Sequence, residues 1–283
     1  MKNITYFINE SFKLGKNYKK PYSYYPKSKE ELRDIIRDLI KERGTEADLN
    51  DIDVSQITDM SRLLANLDFD GDISGWDVHN VKSMKEMFND STYTGENGDI
   101  SNWDVSNVID MTLMFRCSNY DGDISEWNVS KVKTMNQMFL YSRFTSNNGN
   151  ISGWDVSSVV NMTGMFMFSA FNGDLSDWDV SKVKTMNHMF YECSFTGENG
   201  DISNWDVSSV EDMQYMFFNS SFNGDISDWN VSSVKNMQYM FFKSSFTGEN
   251  GDISDWNVNK KTKINKMFWG TPLKDKERVW YRK

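Results

Sequence analysis

Two series of residues in this chain have the type and regularity of ligand sites. Asp72, Asp99, Asp123, Asn150, Asp174, Asp201, Asp225 and Asp252 recur along it, as do Asp77, Asp104, Asn128, Asp155, Asp179, Asp206, Asn230 and Asn257. Stacked carboxylates suggest calcium, but calcium wants six to eight oxygens converging on one point. A ladder spreads them along an axis instead. Asn stands in freely for Asp, and either side chain can hydrogen-bond its own backbone in a turn. The series therefore reads as turn-capping, with no metal expected. Sixteen of the 18 methionines also fall on repeated positions. Their alternation with Val and Phe reads as core packing rather than a soft-metal site.

Catalytic chemistry finds no foothold. His79 and His188 stand in unrelated places, and no nucleophile–base constellation, zinc spacing or phosphate loop is present. No enzyme activity and no cofactor is expected. Cys117 and Cys193 lie three repeats apart, about 15 Å in a stack of strand spacing, beyond disulfide reach. Both read as semi-buried fillers.

The residues suited to recognition are aromatic. Tyr215 and Phe218, then Tyr239 and Phe242, are i, i+3 pairs in successive repeats, with Tyr191 and Trp269 flanking. Set side by side they would form one patch for another protein or a surface glycan. The alternative is that they pack under loops. Residues 1–26 form a basic, aromatic-rich arm whose Tyr6, Phe7, Phe12, Tyr22, Tyr24 and Tyr25 stand among lysines. Such an arm either lies back on the body, docks into a larger assembly or is disordered.

What positions these residues is a repeat. Trp76, Trp103, Trp127, Trp154, Trp178, Trp205, Trp229 and Trp256 are spaced alternately by 27 and 24 residues. A fixed period of this length marks an array in which each unit buries its apolar face on its neighbours. Ile or Leu stands three before each tryptophan and Val two after, which predicts a short parallel strand. Apolar residues at +5, +8, +11 and +12, as in Val210, Met213, Met216 and Phe217, predict a helix of two to three turns. An aromatic at +17 closes the unit. The fold expected is an α/β solenoid, a leucine-rich-repeat-like stack of about nine strand–turn–helix coils, about 40–45 Å long. Ile52 takes the tryptophan's place in a degenerate first coil, and Lys261 marks a worn last one.

Four longer loops, at 94–99, 145–150, 196–201 and 247–252, carry the three-residue insertion behind the alternating period. They read as loops protruding from one edge, either facing a periodic partner or serving as duplicated filler. The expected organisation is an arm at 1–26, a capping helix at 27–48, the repeats at 49–270 and a C-terminal cap at 271–283. In the cap helix, Ser28 and Glu31 supply a capping box, Leu32, Ile35, Ile36, Leu39 and Ile40 an apolar stripe, and Gly44 the stop.

Charge bounds the partners. The chain carries −10 in all, but residues 49–270 hold 15 basic against 31 acidic residues. Such a body repels phosphate backbones and anionic lipid, so neither nucleic acid nor membrane insertion is expected. The N-terminus has no signal-peptide pattern and no run reaches membrane-span length.

The recurring phrase WDVSxVxxMxxMFxxxxxFxGDIS, seen in WDVSSVEDMQYMF and WNVSSVKNMQYMF, closely resembles the repeats of the BspA-like leucine-rich-repeat surface protein family, of mycoplasma-lipoprotein type, over roughly residues 49–270. The resemblance implies a leucine-rich-repeat-like solenoid of surface or phage-encoded proteins, serving adhesion or protein interaction without catalysis. Taken with the missing export signal, the expected role is a non-catalytic interaction protein, virion-associated or cytoplasmic, docked through residues 1–26. A surface adhesin exported by an unrecognised route and an intracellular interaction module are the alternatives.

Overall fold

The structure, a computed structural model, describes residues 22–274. Tyr6, Phe7 and Phe12 of the arm and most of the expected C-terminal cap lie outside the described residues.

The expected alternation of strand and helix is not what the chain forms. Among the described residues the only α-helix is α1, Lys29–Arg43, the only other helical element is a three-residue 3-10 turn at Ile253–Asp255, and parallel pairing is confined to isolated bridges. The α/β solenoid is therefore corrected to a stack of nine repeats built from turns. One bridge column runs through all nine, from Asp59 to Ser83, Asp110, Thr134, Asn161, Thr185, Asp212, Asn236 and Lys263.

The hydrogen bonds give the reason. Within the repeat of Trp76, the amides at +5, +11 and +13 close three-residue turns: Val81 to Val78, Met87 to Met84, and Asn89 to Glu86. The amides between them leave the repeat. Met84, Glu86, Phe88 and Asp90 donate to the carbonyls of Asp110, Thr112, Met114 and Arg116 in the next repeat, at 2.8–3.0 Å. An α-helix would have to keep those donors for itself. The chain also enters the left-handed region at +10 and +14 in every repeat, for example Glu86 at φ 56 and Asp90 at φ 54. A helix interior excludes that conformation. The three-residue stride of inward side chains had the look of a helical face, but it is the stride of successive turns.

The core follows the repeat. The residues at −3, 0, +5, +8, +11, +12 and +17 are buried in the complete central repeats, as in Ile202, Trp205, Val210, Met213, Met216, Phe217 and Phe222. Like stacks on like. The +12 phenylalanines run from Phe88 through Phe115 to Phe268 with centroids 5.3–5.8 Å apart. Trp178, Trp205 and Trp229 stack at 6.5 and 6.3 Å. Each of the eight repeat tryptophans, Trp76 to Trp256, donates its indole N–H to the carbonyl of the apolar residue of the preceding repeat, as Trp127 does to Ile100 at 3.0 Å.

Both Asx series act in turns. Asp201 accepts from the Ser203 amide at 2.8 Å and Asp206 from that of Ser208 at 3.0 Å, and the pattern recurs along the stack. A third polar column at +15, which the sequence reading passed over, lies inside. Ser91, Ser118, Ser142, Ser169, Ser220 and Ser244 are buried, and each hydroxyl accepts the amide two residues on. Cys193 occupies the same place in its repeat.

Helix α1 closes the first repeat. Ser28 caps its start and accepts the Glu31 amide, while the Glu31 carboxylate takes the Lys27 amide at 2.8 Å. Leu32, Ile36 and Leu39 join the core, and Gly44 at φ 94 ends the helix where a side chain would be strained. Arg43 then grips both carboxylate oxygens of Asp51 at 3.0 Å.

Candidate interaction surface

The outward residues at +10 and +13 vary in the early repeats, as in Glu86, Leu113, Asn89 and Arg116, and turn largely aromatic in the later ones, while +14 is aromatic only at Tyr141 and Phe168. The structure brings all six expected patch residues together. Tyr191 stacks on Phe218 at 4.5 Å, Phe218 on Phe242 at 4.9 Å, and Phe242 on Trp269 at 4.7 Å. A second file runs beside it, with Tyr215 on Tyr239 at 4.9 Å. Edge and tilted contacts at 5.6 Å join the two files, Tyr215 to Phe218 and Tyr239 to Phe242.

The ribbon is longer than those six residues. Tyr141 stacks on Phe168 at 4.4 Å, Phe168 meets Tyr191 edge-on at 5.1 Å, and the His188 ring lies 4.6 Å from Tyr215. Tyr141 and Phe168 stand at +14, whereas the ribbon continues at +13, so a column-by-column reading missed them. Two successive aromatics at an otherwise polar position were the available signal.

The ribbon's middle is half-buried and its ends are open: Tyr141 is 52% exposed and Trp269 50%. Because neighbouring rings cover each other's faces, solvent meets chiefly ring edges and the tyrosine hydroxyls. Lys243 approaches Phe242 and Trp269, both at 5.7 Å, and Lys266 approaches Tyr239 at 5.8 Å, so cations gather at the C-terminal end. Burial pushes the His188 imidazole below its usual range, against the opposing pull of Asp212.

Of the arm residues within view, Tyr24 is tied to the first repeat. Tyr24 pairs with Ile52 in a parallel bridge, accepts the Asp53 amide at 2.8 Å, and its ring lies 5.8 Å from the Arg43 guanidinium. Tyr22 and Tyr25 meet edge-on at 6.3 Å, and Tyr25 alone of the three is exposed. The long loops are tied down as well. Thr94 takes Asp70 of the preceding short loop through its amide at 2.8 Å, and Asn97 donates to the Asp70 carbonyl at 2.7 Å. The same clasp recurs as Thr145 and Asn148 on Asp121, Thr196 and Asn199 on Asn172, and Thr247 and Asn250 on Asn223.

A family model described as "Mycoplasma protein of unknown function, DUF285" matches residues 34–147, 140–199 and 194–277. The chain belongs to this DUF285 family. Its three matched stretches together run from within α1 through all nine repeats. No curated protein and no solved structure matches the chain. No helix among the described residues is long and apolar enough to cross a membrane.

Proposed function

We propose that this DUF285 protein is a non-catalytic binding protein whose aromatic ribbon, from Tyr141 to Trp269, seats another protein. The observation that carries the reading is the face-to-face stacking of rings at 4.4–4.9 Å along the file. A sugar ring stacks on an aromatic face, and here neighbouring rings occupy those faces. A protein surface packs well against a strip of ring edges and phenol hydroxyls, and Tyr and Trp dominate such contacts. Lys243 and Lys266 suit an acidic group on the partner at the C-terminal end. The acidic body disfavours nucleic acid.

This surface serves a BspA-like surface protein and a virion-docked component equally well. The pinning of Tyr24 to the first repeat favours the ribbon over the arm as the docking element. The test is affinity capture from the native source with the wild type and a variant carrying Tyr215→Gln, Phe218→Asn, Tyr239→Gln and Phe242→Arg. Each replacement is a residue type that earlier repeats hold at the same position: Gln137, Asn89 and Arg116. A partner retained by the wild type and lost, by about tenfold or more, by the variant supports the reading. Equal capture by both sinks it.

A further inference from the structure

The clasped loops leave grooves between them, and two of these are built alike. The first is lined by Thr94, Gly95, Glu96, Asp121, Gly122 and Asn148, the second by Thr196, Gly197, Glu198, Asn223, Gly224 and Asn250. Each partner lies 102 residues on, two double repeats away. Their glycines keep the floor open above a buried ring. A Cβ on Gly95 would come within 2.9 Å of the Tyr120 ring and one on Gly122 within 2.7 Å of its hydroxyl, while one on Gly197 or on Gly224 would come within 2.9 Å of the Phe222 ring.

The two grooves are not equal. The first encloses about 790 Å³ and the second about 290 Å³. Arg143 and Phe168 line the first, and both depart from the repeat. Position +16 holds Asp68, Thr92, Asn119, Ala170, Ser194, Ser221, Ser245 and Pro272 in the other repeats, and Arg only here. The scaffold is satisfied by a small residue at that place, so its own packing does not call for the arginine. Among the described residues the side chains of Arg143, Glu96 and Asn119 make no hydrogen bond or ion pair, whereas the Asp121 carboxylate is taken up by Thr145 at 2.8 and 3.1 Å. A guanidinium, a carboxylate and an amide are thus free around one open groove with an aromatic ring in its wall.

We infer that this groove is a binding site for a short neutral oligosaccharide. Three planar groups with fixed donor and acceptor forks match vicinal hydroxyls, each of which both donates and accepts. The Phe168 ring, whose face is taken by Tyr141, adds an apolar edge beside these polar groups. Glu96 and Asp121 outnumber Arg143, and the chain as a whole is at −10, which sets the groove against uronic or sulfated sugars. The site is separate from the Tyr215–Phe242 part of the ribbon and does not rest on the protein-binding reading.

Calorimetric titration of the full chain with maltotetraose, cellotetraose, chitotetraose and mannotetraose, and with a tetragalacturonate, tests it. At least one neutral tetrasaccharide binds with a Kd of about 1 mM or tighter. The uronic tetramer binds at least about tenfold more weakly. Arg143→Ser and, separately, Asn119→Ser each weaken the neutral ligand by about fivefold or more. Serine occupies this position in later repeats, so unchanged thermal unfolding is expected of both variants. Absence of binding by every neutral tetrasaccharide up to about 10 mM, preference for the uronic tetramer, or binding indifferent to both variants overturns the inference. A peptide that binds here while the sugars do not overturns it too.

Discussion

The indole Nε1 of Trp205 donates to the carbonyl oxygen of Leu175, thirty residues earlier, at 3.0 Å, while its ring lies between those of Trp178 and Trp229. One side chain thus fills the core and pairs a carbonyl of the neighbouring repeat. Trp205→Phe keeps most of the ring and loses the donor, at a cost of about 1–2 kcal/mol. Trp205→Ala also opens a cavity and costs about 3–5 kcal/mol. Chemical denaturation of both variants measures the two contributions; a Trp205→Phe variant as stable as the wild type would show that the hydrogen bond carries no separate weight.

Cys193 stands in the buried serine column. Burial pushes its thiol up to about 11, and its sulfur contacts the Ser169 hydroxyl at 3.6 Å. Native protein treated with iodoacetamide at about pH 8 is expected to react at the half-buried Cys117 and to spare Cys193, since the thiolate is the reactive form. Mass spectrometry of the labelled peptides decides it. Cys193→Ser restores the residue of the other repeats and is expected to change stability by under about 1 kcal/mol.

Acid acts on the first repeat. The paired hydrogen bonds from Arg43 hold the Asp51 carboxyl below its usual range, with burial opposing. A depressed carboxylate contributes stability above its unfolded pKa and loses it as pH falls through the folded value. Asp51→Asn is therefore expected to cost about 1–2 kcal/mol at neutral pH, a difference that closes as pH falls below the usual carboxylate range. Unfolding curves of wild type and variant across that range give the check. A gap that persists in acid would mean that packing, not charge, holds the pair.

The left-handed positions carry strain that glycine relieves. Gln137 sits at φ 54, and the equivalent place in the next repeat is Gly164 at φ 59. Gln137→Gly is expected to leave stability unchanged or raise it by up to about 1 kcal/mol, the reverse of its effect in a helix. A loss of about 1 kcal/mol in thermal unfolding would argue for helical backbone there.

Much of this was legible in the residues. The ninefold period, the inward positions around Trp205, the Asx turns and helix α1 all follow from spacing and residue type. The turns did not. Val210, Met213 and Met216 recur every three residues, a stride shared by a helical face and by a chain of tight turns, and only the destination of the amides separates the two. Left-handed residues such as Tyr215, Glu86 and His188 are not glycines, so the usual marker of that conformation was missing. Six ribbon residues were visible as i, i+3 pairs. Tyr141 and Phe168 were not, because contact crosses from +14 of one repeat to +13 of the next. The clasp of Thr94 on Asp70 was hidden likewise, since it joins residues 24 apart with no pattern except the repeat itself.

The ribbon's role is tested most directly by photo-crosslinking in the native source. A benzophenone amino acid is placed at Tyr215 or Tyr239, or at the exposed apolar residues Ile109 or Val160 at position +6. The account predicts one shared protein adduct from Tyr215 and Tyr239 and none from Ile109 or Val160. No adduct from either tyrosine, or the same adduct from Ile109 and Val160, would contradict it.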